Sequence, residues 1–213
     1  MQHTSQFFKL LHSQWIKELP FAAYRDLGQS EKKLKALLQK DAAINKVSDF
    51  SESGFVFAPF DSTREVILIP VNNSEEIYSI FNGDEHTSGA QFKPDTTTEI
   101  AEENEAHQGL VQLGIDAIKA GELEKVVLSR KEILQVEDRD PIEIFKRLLK
   151  RYPDAFVYIW YHPEIGLWLG ATPETLLQVE RNRFKTMALA GTKNYSGEIE
   201  VEWGGKKRKN SKL

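Results

Sequence analysis

Two side chains in this sequence are of the types that move protons, and each sits beside an apolar run. Lys125 opens Lys-Val-Val-Leu-Ser-Arg (125–130), and Glu174 closes Gly-Ala-Thr-Pro-Glu (170–174). A lysine flanked by Val126, Val127 and Leu128 is placed to have its ammonium partly desolvated, which favours the neutral amine a general base needs. The competing reading is a surface lysine at a strand start that snorkels to water. Glu174 follows Thr172 and Pro173, which read as a helix cap and first helical position. An acidic residue there also suits the helix dipole, and a general-acid role requires burial that works against it. A third element, Leu-Ala-Gly-Thr (189–192), ends a strand at Gly191, where a missing side chain leaves room for a ligand or simply makes a turn. Thr192 and Lys193 beside it are placed to contact an anion or to lie in a solvated loop.

The elements that must position these groups are legible in outline. Residues 3–19 carry Phe7, Phe8, Leu10, Leu11, Trp15 and Ile16 at helical spacing, closed by Pro20. Residues 21–28 read as a short strand or loop. Residues 30–39 read as a helix capped by Ser30, with Leu34, Leu37 and Leu38 on its apolar face. Residues 54–60 and 65–70 form a strand pair around the turn 61–64, and residues 82–96 a loop. Residues 98–120 predict a long helix stopped by Gly121. A strand is expected from Lys125 to about Val136. Pro141 then opens a helix behind an Asp140 cap, with Ile144, Leu148 and Leu149 inward. Strands follow at 156–161, 167–171 and 184–190, joined by short antiparallel-type connections. Strand runs with segregated helices predict an α+β fold.

Bulk properties narrow the classes. The 213 residues include no cysteine, so disulfide, thiolate and zinc–sulfur chemistry are excluded. The net charge of −4 provides no global basic field for nucleic acid or anionic lipid. Lys9, His12, Lys17 and Glu18 interrupt the first segment, so it does not read as a signal peptide, and no run approaches a membrane span. A cytoplasmic enzyme or binding protein is the expectation. The five histidines show no metal-ligand spacing. Glu102, Glu103 and Glu105 read as a solvated helix face.

Taken in order, Lys-Val-Val-Leu-Ser-Arg, Gly-Ala-Thr-Pro-Glu and Leu-Ala-Gly-Thr resemble the chorismate-utilising enzymes, and most of all isochorismate synthases. The resemblance is strongest over residues 98–203 and weaker in Pro-Phe-Ala-Ala-Tyr-Arg (20–25) and in residues 54–60. It implies antiparallel sheets flanked by helices, roughly the N-terminal half of that fold. It implies that Lys125 activates water for attack at C2 of chorismate, while Glu174 protonates the departing C4 hydroxyl. Anthranilate synthases usually carry glutamine at the position of Lys125, and aminodeoxychorismate synthases a nucleophilic lysine at that of Ala190. Lys125 together with Ala190 therefore points to water as the nucleophile, with Ala190, Gly191 and Thr192 lining the substrate. Salicylate synthases share the lysine and are the runner-up; a non-catalytic fragment or binding module is the alternative from another class. Mg2+ is the cofactor that the resemblance implies, with chorismate as partner, no nucleic acid or membrane, and a monomer. Menaquinone and siderophore biosynthesis are the pathways implied.

One departure stands out. The family's Mg2+-binding glutamates, and the groups that hold the substrate carboxylates, are expected beyond Leu213. Residues 204–213, Gly-Gly-Lys-Lys-Arg-Lys-Asn-Ser-Lys-Leu, form a basic tail with no apolar periodicity. The expectation is a domain over 1–203, cut short and followed by an out-of-frame tail, which translation of the gene in its other two frames tests. Such a product is expected to be marginally stable, aggregation-prone and inactive by itself.

Overall fold

The computed structural model describes residues 3–26, 33–49, 51–83, 99–131 and 140–187. They fall into two compact units, 1–171 and 172–213, each taken on its own below.

The first unit is built in layers about a five-stranded sheet. Helix α1 (Thr4–Ile16) buries Phe7, Phe8 and Leu11 on one face, and the His3 side chain caps its start by accepting the Ser5 N–H at 3.4 Å. Pro20, which has no N–H to donate, follows, and the chain enters β1 (Phe21–Asp26). Buried Gln14 ties the helix end to the sheet, donating to the carbonyls of Gln39 (2.6 Å) and Pro20 (3.2 Å).

Residues 33–39 correct the sequence expectation of a helix: they form strand β2 (Lys33–Gln39), paired antiparallel with β1 and with β6 (Ser74–Ile80). The spacing of Leu34, Leu37 and Leu38 satisfies either geometry. The tertiary partners decide, because Leu34, Ala36 and Leu38 enter the core on one face while Leu37 enters the core on the other. A strand buried on both sides loses the polar alternation that marks a strand in sequence.

The sheet runs β6-β2-β1-β7-β8, with β7 (Phe156–His162) and β8 (Gly166–Thr172) joined by a tight turn, after which Gly166 opens β8 with φ +120°. One face of the sheet presents Phe21, Ala23, Val157 and Ile159 to α1 and to helix α3 (Pro141–Arg151). The other presents Ala22, Leu37 and Trp160 to a three-stranded sheet of β3 (Asn45–Lys46), β4 (Gly54–Phe57) and β5 (Ile67–Pro70), in the order β3-β5-β4. The Phe57 and Trp160 rings stack there at 4.6 Å. β4 and β5 form the hairpin expected from sequence.

The expected cap of α3 is present: the Asp140 carboxylate accepts the Ile142 N–H at 2.9 Å. Its inner face is Ile142, Phe145 and Leu149, with Leu148 partly buried, so Ile142 and Phe145 replace Ile144 in the expected stripe. The buried Arg25 guanidinium of β1 donates to the Leu149 and Tyr152 carbonyls at the helix's other end, both at 2.5 Å. These are carbonyls that a helix end otherwise leaves unpaired. Burial pulls Arg25 below the usual arginine value, and Asp154 works against that pull.

Helix α2 (Glu99–Lys119) also matches expectation and ends at Gly121, whose φ of +79° lies in the left-handed region glycine favours. The Gly121 and Glu122 N–H groups close it on the Ile118 and Ala117 carbonyls. Among the described residues its large apolar side chains stay exposed: Leu113 is 68% exposed, and Leu110, Ile115 and Ile118 are also exposed. In the second unit, strands β9 (Gln178–Glu180) and β10 (Arg183–Lys185) pair as a hairpin through Arg181. Among the described residues, antiparallel sheets with three α-helices make the fold α+β, as the sequence predicts.

Candidate active site

Lys125 lies just past the end of α2. The described part of the strand expected from Lys125 to about Val136 does not form one: residues 125–131 join no ladder with other described residues, and 132–136 lie outside them. The local sequence is β-prone, but a strand exists only where a neighbour takes its N–H and C=O groups. Burial alternates along it all the same. Lys125, Val127 and Ser129 are exposed, and Val126 and Leu128 are partly buried. The inner pair faces Gly114 of α2, where a Cβ would lie 3.1 Å from Val126 Cγ1 and 3.4 Å from Leu128 Cδ1. The described residues therefore leave the Lys125 ammonium in solvent, and the desolvation expected of it is not supplied by them.

Glu174 follows β8. Its N–H donates to the Thr172 hydroxyl at 3.3 Å, so Thr172 does cap, but no helix begins. The Thr175 and Leu176 carbonyls, which a first helical turn would use, instead accept the Met187 N–H (3.0 Å) and the Thr186 hydroxyl (2.6 Å). Those partners come from the segment after β10, so hairpin closure overrides the local helix signal. Glu174 is exposed at this bend. Lys125 belongs to the first unit and Glu174 to the second. Ala190, Gly191 and Thr192, like the tail 204–213, lie outside the described residues.

The same motif holds a residue whose reason the sequence concealed. Gly170 of β8 passes under the Tyr158 ring of β7, and a Cβ there would lie 2.6 Å from Tyr158 Cε1. Burial pushes the Tyr158 phenol above the usual tyrosine value. His162 is buried, its Nδ1 accepting the Glu164 N–H at 3.2 Å in the β7–β8 turn. Among the described residues of the first unit, two clefts lie elsewhere. One, of about 680 Å³, is bordered by Lys46, Glu52, Leu68 and Asn72; the other, of about 310 Å³, lies between α1 and α3. Lys125 and Glu174 line neither. Among the described residues no group of three or more His, Asp or Glu side chains is placed to hold a metal ion. No helix among them is long and apolar enough to cross a membrane.

Comparison with known proteins places these residues in context. The sequence profile described as "Chorismate binding enzyme" matches residues 60–202, well over half of the chain. A putative isochorismate synthase of Aeromonas hydrophila is 36% identical over 96 residues, which cover 45% of this chain and 24% of that protein. Anthranilate synthase component 1 of Thermococcus kodakarensis is 36% identical over 83 residues, 39% of this chain and 18% of that protein. The salicylate biosynthesis isochorismate synthase of Pseudomonas aeruginosa is 27% identical over 102 residues, 48% and 21% of the two chains. The chain thus spans between about a fifth and a quarter of the length of these relatives. No solved structure matches.

Proposed function

The chain belongs to the chorismate-binding enzyme family, and from that premise we propose that it is of the isochorismate synthase type. The reaction moves a hydroxyl. Water adds its oxygen at C2 of chorismate, the C4 hydroxyl leaves as water, the double bonds shift, and no oxidant or reductant is consumed. Lys125 is the base that takes the proton from the incoming water, and Glu174 the acid that gives one to the departing hydroxyl. Ala190, Gly191 and Thr192 line the ring. The observation that carries the reading is Lys125 itself, at the position where the resemblance gives ammonia-using relatives a glutamine. Two of the matched relatives bear isochorismate synthase names, which supports the same choice. The reading extends to chorismate as the small-molecule partner, a monomer in the cytoplasm, and a place in menaquinone or siderophore biosynthesis.

Mg2+ is the cofactor that family membership implies. The described residues offer no cluster that would cradle it, so no step is routed through it.

The test is incubation with chorismate and Mg2+ in 18O-water, with products separated by chromatography. Isochorismate carrying 18O at C2, lost by about 100-fold or more in Lys125→Gln and in Glu174→Gln, is the expected result. Anthranilate formed on adding ammonium, or salicylate and pyruvate, would transfer the chain to another branch of the family. The exposure of Lys125 and Glu174 favours one second reading, a module that binds without turnover. Calorimetric heat from chorismate in the absence of any product identifies it.

A further inference from the structure

Glycine in the middle of a long helix is unfavourable by roughly 1 kcal/mol relative to alanine. α2 contains two interior glycines, and they differ. A Cβ on Gly109 would meet nothing within 4 Å, whereas one on Gly114 would press on Val126 Cγ1 at 3.1 Å and Leu128 Cδ1 at 3.4 Å. Gly114 also lies one turn from Leu110 and one turn from Ile118, so it forms a gap in a row of larger side chains. Side chains two apart in the following segment occupy that gap. The residue between them, Val127, is 83% exposed, as expected of an extended run with one face seated on the helix.

We propose that Gly114 is a positioning residue: it provides the notch that seats Val126 and Leu128 on α2 and thereby fixes the outward row of Lys125, Val127 and Ser129. A shift of one residue would turn Lys125 and Val127 onto the helix and Val126 and Leu128 outward. The notch rests on the reading of Lys125 as the base only for its catalytic meaning. The seating itself is independent of any reaction.

The experiment uses the whole chain and reads Lys125 directly. Trace acylation of lysines with an amine-reactive ester, quantified peptide by peptide, gives the reactivity of Lys125 relative to the other lysines. In Gly114→Ala it changes by about twofold or more; in Gly109→Ala it does not; in Gly114→Ala with Val126→Ala, which removes the obstructing Cγ1, it returns towards the parent value. Unchanged Lys125 reactivity in Gly114→Ala, with circular dichroism intact, overturns the proposal. Should Gly114→Ala fail to fold, Val126→Ala and Leu128→Ala loosen the same seat from the other side, and unchanged labelling in both is equally fatal. If the chain makes isochorismate, Gly114→Ala lowers kcat by about tenfold or more while KM holds, and the double variant recovers it. Labelling that behaves as stated in a chain that turns over no chorismate removes the isochorismate synthase reading and leaves the notch standing.

Discussion

Gly170 and Tyr158 show how a residue inside a sequence motif can serve packing as directly as chemistry. The phenol ring of Tyr158 lies across β8 where Gly170 has no side chain, so alanine there puts a methyl against two ring carbons and the hydroxyl of a half-buried tyrosine. The ring has to move, and overpacking of this kind typically costs about 1–3 kcal/mol. Gly170→Ala is therefore expected to lower the unfolding free energy by that amount in urea denaturation. A midpoint equal to the parent's would mean that the ring is free to shift. Reading Gly170 from sequence alone recovers a motif letter without its cause, because Tyr158 lies on the neighbouring strand and no local pattern links the two. Lys125 and Glu174 were legible as residue types, but their exposure was not, since burial depends on what packs over a side chain.

At the scale of elements, β2 and β6 are joined by more than their ladder. Lys35 Nζ lies 2.6 Å from a Glu76 carboxylate oxygen, with both side chains partly exposed. Burial opposes the Lys35 charge, yet the hydrogen bond to Glu76, with Tyr24 and Tyr78 nearby, raises the lysine above its ordinary value. The same bond, then the Tyr78 hydroxyl, holds Glu76 below the ordinary carboxylate range. The contribution of Glu76 is therefore full above its unfolded-state pKa and disappears as pH falls through its lower folded value. That of Lys35 is full below the unfolded lysine value and is lost as pH rises through its higher folded value. Stability measured by urea denaturation across pH should show both limbs, and Glu76→Gln should flatten the acid one. An acid limb of unchanged slope in that variant would show that the pair contributes nothing. The helices α1, α2 and α3 and the β4–β5 hairpin were readable because caps, prolines, glycines and short turns act within a few residues. β2 was not, because both of its faces are covered by parts of the chain distant in sequence.

At the scale of the molecule, the first unit has a sheet covered on both faces, and it also holds α2, whose stripe of large apolar side chains stays exposed among the described residues. Such a stripe favours self-association. Leu113→Glu, at the most exposed position of the stripe, is expected to change the unfolding free energy by less than about 0.5 kcal/mol. The same substitution should reduce light scattering and binding of an apolar dye by the purified chain. A large loss of stability would mean that Leu113 is covered in solution.

The sequence by itself determined the fold class, the three helices α1, α2 and α3, the hairpin and the family. Those rest on short-range signals and on residue types that need no partner to be recognised. Tertiary structure alone decided that residues 33–39 are a central strand, that the bend at Glu174 leads into a hairpin, and that Val126 and Leu128 sit on Gly114 with Lys125 turned outward. In each case the deciding contact joins residues whose local patterns do not refer to one another, so only the folded chain brings them into reach.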